Sequence, residues 1–221
     1  MKLKVPEATI VRLALYLRNL SEMERRGYIT ISSDDIAKSL GINSALVRKD
    51  LAYFGEFGTK GVGYDVKDLH GQILRIFGLN ASWNVAIVGE PGLAAFFNSS
   101  FKKTGFVVSG IFSLDPEKVG TRVDGVAVHS MDDLETTIEE KRTRLVILAV
   151  SPVFAQEVVD KLVKAGVQAI LNFVPVVLNV PRGVELRNID LVTHLEILTF
   201  SVGAQKFWWD LPDQGVGLLK G

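Results

Sequence analysis

The segment Gly89-Glu90-Pro91-Gly92-Leu93-Ala94 is where residue types and spacing best suit ligand chemistry. It lies between the apolar run Asn84–Val88 and a helical pattern over 92–104. A glycine after a strand allows a tight turn, and the N-terminus of the next helix attracts phosphate. Against the pattern G-x-G-x-x-G, Gly89 takes the first place, Pro91 the second and Ala94 the third. Alanine is an accepted third residue. Pro91 removes a backbone N–H and adds a ring where a phosphate oxygen would approach, and Gly92 partly restores room. The end of the second strand normally supplies an acid for the ribose hydroxyls. Ser113 stands there instead, with Asp115 two residues on. That arrangement suits a 2′-phosphate, a different nucleotide or a lost site.

A second chemistry is carried by Ser44, Arg48 and Lys49. They lie on a helical pattern that Asn43 or Ser44 can cap. It follows a shorter pattern (Ile36, Ala37, Leu40) that opens at Ser32-Ser33-Asp34-Asp35 and ends at Gly41. Two short helices around a glycine turn, with cations on the second, fit a helix-turn-helix or an ordinary helical hairpin. The next stretch, Gly55 to Tyr64, alternates glycine with Phe57, Val62 and Tyr64, and places Lys60 and Gly61 at a turn. A glycine-tipped hairpin after a recognition helix is the construction of a wing, with Phe57, Val62 and Tyr64 as its strand residues.

Other chemistry is excluded by composition. The 221 residues contain no cysteine, so disulfides, thiolate metal sites and cysteine nucleophiles are absent. No metal ligand set is expected. The three histidines, His70, His129 and His194, form no acid–base constellation with Lys or Tyr, so catalytic residues are not assigned. The net charge of zero hides an asymmetry: residues 1–80 carry 12 Lys+Arg against 9 Asp+Glu, and residues 81–221 carry 13 against 16. The basic half is the one with the helix-turn-helix pattern. Neither a signal-peptide run nor a membrane-length apolar stretch is present, so the cytoplasm is the expected location.

The elements that must position these residues follow from periodicity. Ile10, Leu13, Leu17 and Leu20 predict a first helix ending near Gly27, and Leu69, Ile73 and Phe77 predict a helix after the wing. The runs 84–88, 106–112, 145–150 and 167–171 are β-branched and do not alternate, as strands buried on both faces should be. Helical patterns over about 92–104, 131–141 and 152–165 separate them, which implies a Rossmann-like parallel sheet. The expected organisation is a winged helix domain over 1–79, a dinucleotide-binding domain over 80–190, an apolar helix over 191–205, and a tail over 206–221. The tail holds Trp208 and Trp209, for which packing across a dimer interface is expected, with docking within the same chain as the alternative.

Together these stretches resemble the Rex family of redox-sensing transcriptional repressors. The resemblance is carried above all by Ile31-Ser32-Ser33, by Val47-Arg48-Lys49-Asp50-Leu51-Ala52-Tyr53-Phe54-Gly55-Glu56-Phe57-Gly58 and by Gly61-Val62-Gly63-Tyr64. Asn172-Phe173-Val174-Pro175, Leu178-Asn179-Val180-Pro181 and Asn188-Ile189-Asp190-Leu191 extend it. It implies a homodimer that exchanges its last helix, binds a palindromic operator as double-stranded DNA, and responds to NAD(H). Ser33, Asn43, Ser44, Arg48, Lys49, Tyr53, Lys60 and Gly61 become DNA-contacting candidates, although the rings of Tyr53 and Phe54 also suit the domain core. For Arg48 the alternative is a surface ion pair with Asp50 or another acid. Gly89, Glu90, Pro91, Gly92, Leu93, Ala94, Ser113, Lys118, Val150, Ser151, Asn172, Phe173 and Pro175 become cofactor candidates. Arg12, Ser100 and Asp190 fall at positions of a coupling network, with Ser100 where the family usually has tyrosine. Two alternatives stay open: a related DNA-binding paralogue with weakened or lost sensing, and a nicotinamide-dependent dehydrogenase.

Overall fold

The computed structural model describes residues 5–59, 61–101 and 104–209, and the chain divides into two compact units at Ser82/Trp83. The first unit holds four helices, α1 (Glu7–Arg25), α2 (Ser33–Leu40), α3 (Ser44–Ala52) and α4 (Val66–Ile76). Two short strands, β1 (Thr30–Ile31) and β2 (Tyr64–Asp65), pair antiparallel. Local chemistry sets these boundaries. Ser32 and Asp35 form a reciprocal capping box on α2, Gly41 ends that helix in a left-handed conformation, and Asn43 caps α3 by accepting from the Ala45 N–H. The core joins Leu13, Tyr16 and Leu20 of α1 to Ile36, Val47, Leu51, Leu69 and Ile73.

The wing is shorter than its sequence suggests. Thr59 and Gly63 form an isolated bridge, whereas Tyr64 pairs with Ile31 at the base and Val62 projects into solvent. Phe57 and Val62 are therefore not strand residues. Gly63 lies so close to β1 that a Cβ would come within 2.6 Å of the Ile31 carbonyl oxygen, which limits the position to glycine.

One buried carboxylate ties α3 to α1. Asp50 is 1% exposed and accepts from Arg12 Nε (2.6 Å), Arg12 Nη2 (2.7 Å), Tyr16 OH (2.7 Å) and Thr9 Oγ1 (2.9 Å). Burial, the largest single influence, pushes the Asp50 carboxyl up. The hydrogen bonds from Arg12, Tyr16 and Thr9 together outweigh it and hold the group below the usual carboxylate range. Burial followed by the Asp50 hydrogen bond drives the Tyr16 phenol well above its ordinary value.

In the second unit a seven-stranded sheet has the order β5-β6-β4-β3-β7-β8-β9. Its strands are β3 (Trp83–Gly89), β4 (Phe106–Ser113), β5 (Arg122–Val123), β6 (Val126–Ser130), β7 (Leu145–Ala149), β8 (Ala169–Asn172) and β9 (Glu185–Asn188). All pairings are parallel except that of the edge strand β5 with β6. Without β5 this is the doubly wound dinucleotide-binding order, with a topological switch where β3 lies between β4 and β7. The crossover helices are α5 (Gly92–Phe101), α6 (Leu134–Glu140) and α7 (Ala155–Lys164). The cores on the two faces are built from Ala86, Val88, Phe112 and Leu148 on one side and Val85, Ile87, Ile111 and Ile147 on the other. This alternation follows from the two-residue period of strands buried on both faces.

The last helix, α8 (Leu191–Trp209), continues through Gly203 and past the expected end at residue 205. Trp208 and Trp209 thus close a helix instead of lying in a tail, and their side chains, like Lys60 and residues 210–221, lie outside the described residues. Leu191, Val192, Leu195, Leu198, Phe200 and Val202 of α8 are all exposed. None of the described helices is long and apolar enough to cross a membrane.

Replacing Asp50 by alanine is expected to destabilise the first unit by about 2–4 kcal/mol, because four donor groups on three residues lose their acceptor. Urea denaturation of the full chain at neutral pH checks this, and an unchanged midpoint would remove Asp50 as the anchor of α3. The carboxyl is depressed in the folded state, so its contribution is fully present above its ordinary value of 3.8. The advantage over Asp50→Asn should shrink as pH falls from there through the folded-state value.

Candidate nucleic-acid and nucleotide sites

With Asp50, Val47 and Leu51 turned inward, helical geometry sends Arg48 and Lys49 outward, and both are exposed. The Asp50 carboxylate is fully engaged on α1, so it is not the partner of Arg48. Arg48 Nη1 instead donates to Ser33 Oγ at 2.8 Å, joining the middle of α3 to the start of α2 in a way that sequence spacing did not reveal. These residues border a cleft of ≈ 540 Å³ whose other wall is made by Thr59, Gly61, Val62, Gly63 and Tyr64 of the wing. Burial raises the Tyr64 phenol there, opposed by the charge of Arg48. Gly61 lines the same cleft, Asn43 is exposed at the cap of α3, and Ser44 is half-buried beside it. Tyr53 is half-buried just past α3, and Phe54 packs against the core. A groove walled by a helix with exposed cations and by a wing suits contact with a polyanionic duplex.

The first unit also imitates a catalytic triad. Ser21 Oγ lies 2.9 Å from His70 Nε2, and Glu24 Oε2 lies 3.4 Å from His70 Nδ1. The Ser21 hydroxyl donates to the Leu17 carbonyl at 2.9 Å, so its proton is directed along α1 and not to the imidazole. That hydroxyl is not an activated nucleophile.

In the second unit, the carboxyl ends of β3, β4, β7 and β8 bring Gly89, Ser113, Val150 and Asn172 to one edge of the sheet. Gly89 has φ +133°, and a Cβ there would lie 1.9 Å from the Ala149 carbonyl oxygen. Close approach of β3 to the end of β7 therefore requires glycine at the first place of the fingerprint. Pro91 and Ala94 are buried, and a Cβ at Gly92 would meet only the Glu90 side chain, at 3.8 Å. The strand–turn–helix that a pyrophosphate needs is thus present, with only the Glu90 side chain over Gly92. Glu90 Oε1 lies 3.5 Å from the Gly92 nitrogen, and Glu90 Oε2 accepts from Lys118 Nζ at 2.7 Å. The Lys118 hydrogen bond holds the Glu90 carboxyl below its usual range.

Other sequence candidates are tied up locally. Ser113 is buried, and its hydroxyl accepts from the Asp115 N–H at 3.1 Å. Asn172 uses its amide within the chain, donating to Val174 O and Asn188 Oδ1 and accepting from the Val174 N–H. Its role is to brace the end of β8 against β9. Phe173 packs on Phe97 with centroids 5.9 Å apart, Ser151 opens the turn after β7, and Pro175 is exposed. Ser100 lies on the exposed side of α5 and donates to the Phe96 carbonyl. Asp190 caps α8 by accepting from Val192 N, Thr193 N and Thr193 Oγ1. The Thr193 backbone bond, then the Thr193 hydroxyl, holds its carboxyl low. Sequence reasoning missed Thr9, Tyr16 and Asp50 as a unit, and the motif run containing Asp50 offered no sign that this acid faces inward.

Known proteins show the same two-part organisation. Residues 4–52 match the family model described as "Putative DNA-binding protein N-terminus", and residues 80–176 match the "CoA binding domain". The redox-sensing transcriptional repressor Rex of Desulfitobacterium hafniense is 55% identical, spanning 92% of this chain and 98% of its own length. The crystal structure of RSP in complex with β-NAD+ and operator DNA superposes with a TM-score of 0.88 at 32% identity, covering 97% of this chain and 100% of RSP. RSP in complex with β-NADH gives a TM-score of 0.81 at 31% identity, covering 96% and 100% of the two chains.

Proposed function

The chain belongs to the Rex family of redox-sensing transcriptional repressors, and we propose that it represses transcription as a homodimer on a palindromic operator, under control of the NADH/NAD+ ratio in the cytoplasm. The observation that carries this reading is the coexistence, in one chain, of an outward-facing cationic helix beside a wing and a dinucleotide turn built on Gly89. Arg48 and Lys49 would meet the major groove or its phosphates, with Ser33 holding the Arg48 guanidinium in the cleft. Gly61 and Lys60 would carry the wing toward the minor groove. The second unit would seat the pyrophosphate over Gly92 and the ribose toward the end of β4. Family resemblance supports exchange of α8 between subunits, and its exposed apolar side chains give that exchange a driving force. No catalytic step belongs to this reading, because the cofactor acts as a signal.

Calorimetric titration of the full chain is expected to give tight NADH binding, weaker NAD+ binding, and loss of operator binding when NADH is added. Binding of neither nucleotide, with operator binding intact, would replace this reading by the non-sensing paralogue. Coenzyme A serves as the third titrant, and preference for it over both nicotinamide forms would assign the turn to a different signal.

Arg48→Ala should weaken operator binding by roughly tenfold and lower the salt-dependence slope by about two, since one charge-assisted contact is lost from each of the dimer's two recognition helices. Fluorescence anisotropy across a salt series reads both effects. Unchanged affinity would mean that α3 is not the recognition helix.

A further inference from the structure

A dinucleotide site of this fold selects the non-phosphorylated cofactor through an acid at the end of its second strand, which accepts from the ribose 2′-hydroxyl and repels a 2′-phosphate. At that place the chain has Ser113, 4% exposed and engaged with the backbone of Asp115. A small polar residue beside a lysine would ordinarily leave room and charge for a 2′-phosphate, and Lys118 stands nearby. Yet the Lys118 ammonium is claimed by a carboxylate from the other side of the corner. Glu90, 28 residues earlier in the chain and one residue after the fingerprint glycine, reaches it at 2.7 Å. Asp115 lies 3.8 Å from the same ammonium. One cation between two carboxylates leaves the corner with a formal charge of −1.

We infer that Glu90 replaces the missing strand-end acid: its carboxylate, oriented by Lys118, accepts the adenosine ribose hydroxyl and makes the site select NAD(H) over NADP(H). This rests on the reading of the second unit as a dinucleotide site. The geometry favours Glu90 over Asp115 for the role. Asp115 caps its own turn, with Oδ1 accepting from the Glu117 N–H, and stays 3.8 Å from the Lys118 ammonium, whereas Glu90 reaches that ammonium at 2.7 Å and is the more exposed of the two carboxylates. Glu90 also spans the two subsites, because one oxygen approaches the Gly92 nitrogen at the helix start and the other meets Lys118 beyond β4. The first contact, 3.5 Å, is weak and yields to a pyrophosphate; the second, 2.7 Å, is a short charge-assisted bond that persists. Lys118 is thereby a positioning residue, and it screens the pyrophosphate from the Glu90 charge.

The test is titration of the full chain and its variants with NADH and NADPH, with folding checked by circular dichroism. Wild type should prefer NADH. Glu90→Gln should narrow the preference by about tenfold, mainly through tighter NADPH binding, because the freed lysine then faces the 2′-phosphate. Lys118→Met should widen it, since two unpaired carboxylates remain. Asp115→Asn should change it less than Glu90→Gln does. A merely structural salt bridge would weaken both nucleotides together in Glu90→Gln and Lys118→Met. That result overturns the inference, as does wild-type binding of NADPH equal to NADH, or loss of selectivity in Asp115→Asn alone. Failure of wild type to bind either nucleotide removes the underlying dinucleotide reading, and the inference with it.

Discussion

A carboxylate withdrawn from water must be met by donors or give up its charge, and Asp50 is met by four hydrogen bonds from one face of α1. That requirement fixes the rotation of α3 about its own axis. Once Asp50, Val47 and Leu51 face the core, Arg48 and Lys49 have nowhere to point but outward. A purely apolar contact would hold α3 with less angular definition, since dispersion and burial are not directional whereas a bidentate guanidinium–carboxylate pair is. The surface proposed to face DNA is in this sense the reverse side of a buried ion pair.

The second unit depends on a comparable constraint in the backbone. Parallel strands β3 and β7 run so close at their carboxyl ends that Gly89 has no space for a side chain. This closeness makes the crevice at the topological switch and aims the start of α5 into it. Around that fixed turn the side chains differ from the usual pattern. Pro91 is buried in place of a second glycine, Ser113 is engaged with the backbone, and Glu90 has taken up the cation at Lys118. The scaffold of the turn is kept while the charges around it are redistributed.

Elements with local signals were legible from sequence, and elements defined by neighbours were not. The capping box at Ser32 and the cap at Asn43 involve partners within three residues, so the start of each helix could be read directly. The β5–β6 hairpin carried its signal too: Asp124-Gly125, both at positive φ, is the pair that a tight two-residue turn demands, though the strands flanking it are too short to stand out. Strand β9, Glu185-Leu186-Arg187-Asn188, has no apolar run at all, because an edge strand with mostly exposed side chains needs none. The wing misled in the opposite direction, since apolar residues at Phe57 and Val62 suggested strands where only the Thr59–Gly63 bridge forms.

By itself, the sequence determined the helix starts of the first unit, the buried parallel strands, the basic bias of the first half and the glycine turn after β3. All of these arise from periodicity or from interactions a few residues long. Tertiary structure alone decided which partner each charged side chain took: Arg12 with Asp50, 38 residues away, Arg48 with Ser33, 15 away, and Glu90 with Lys118, 28 away. The physical reason is that an ion's partner depends on which groups the packed elements bring within about 3 Å and on how much water they exclude. Neither quantity is written in local spacing. The same Arg12 could therefore be placed by resemblance in a coupling network, and be found in the fold tying α3 to α1.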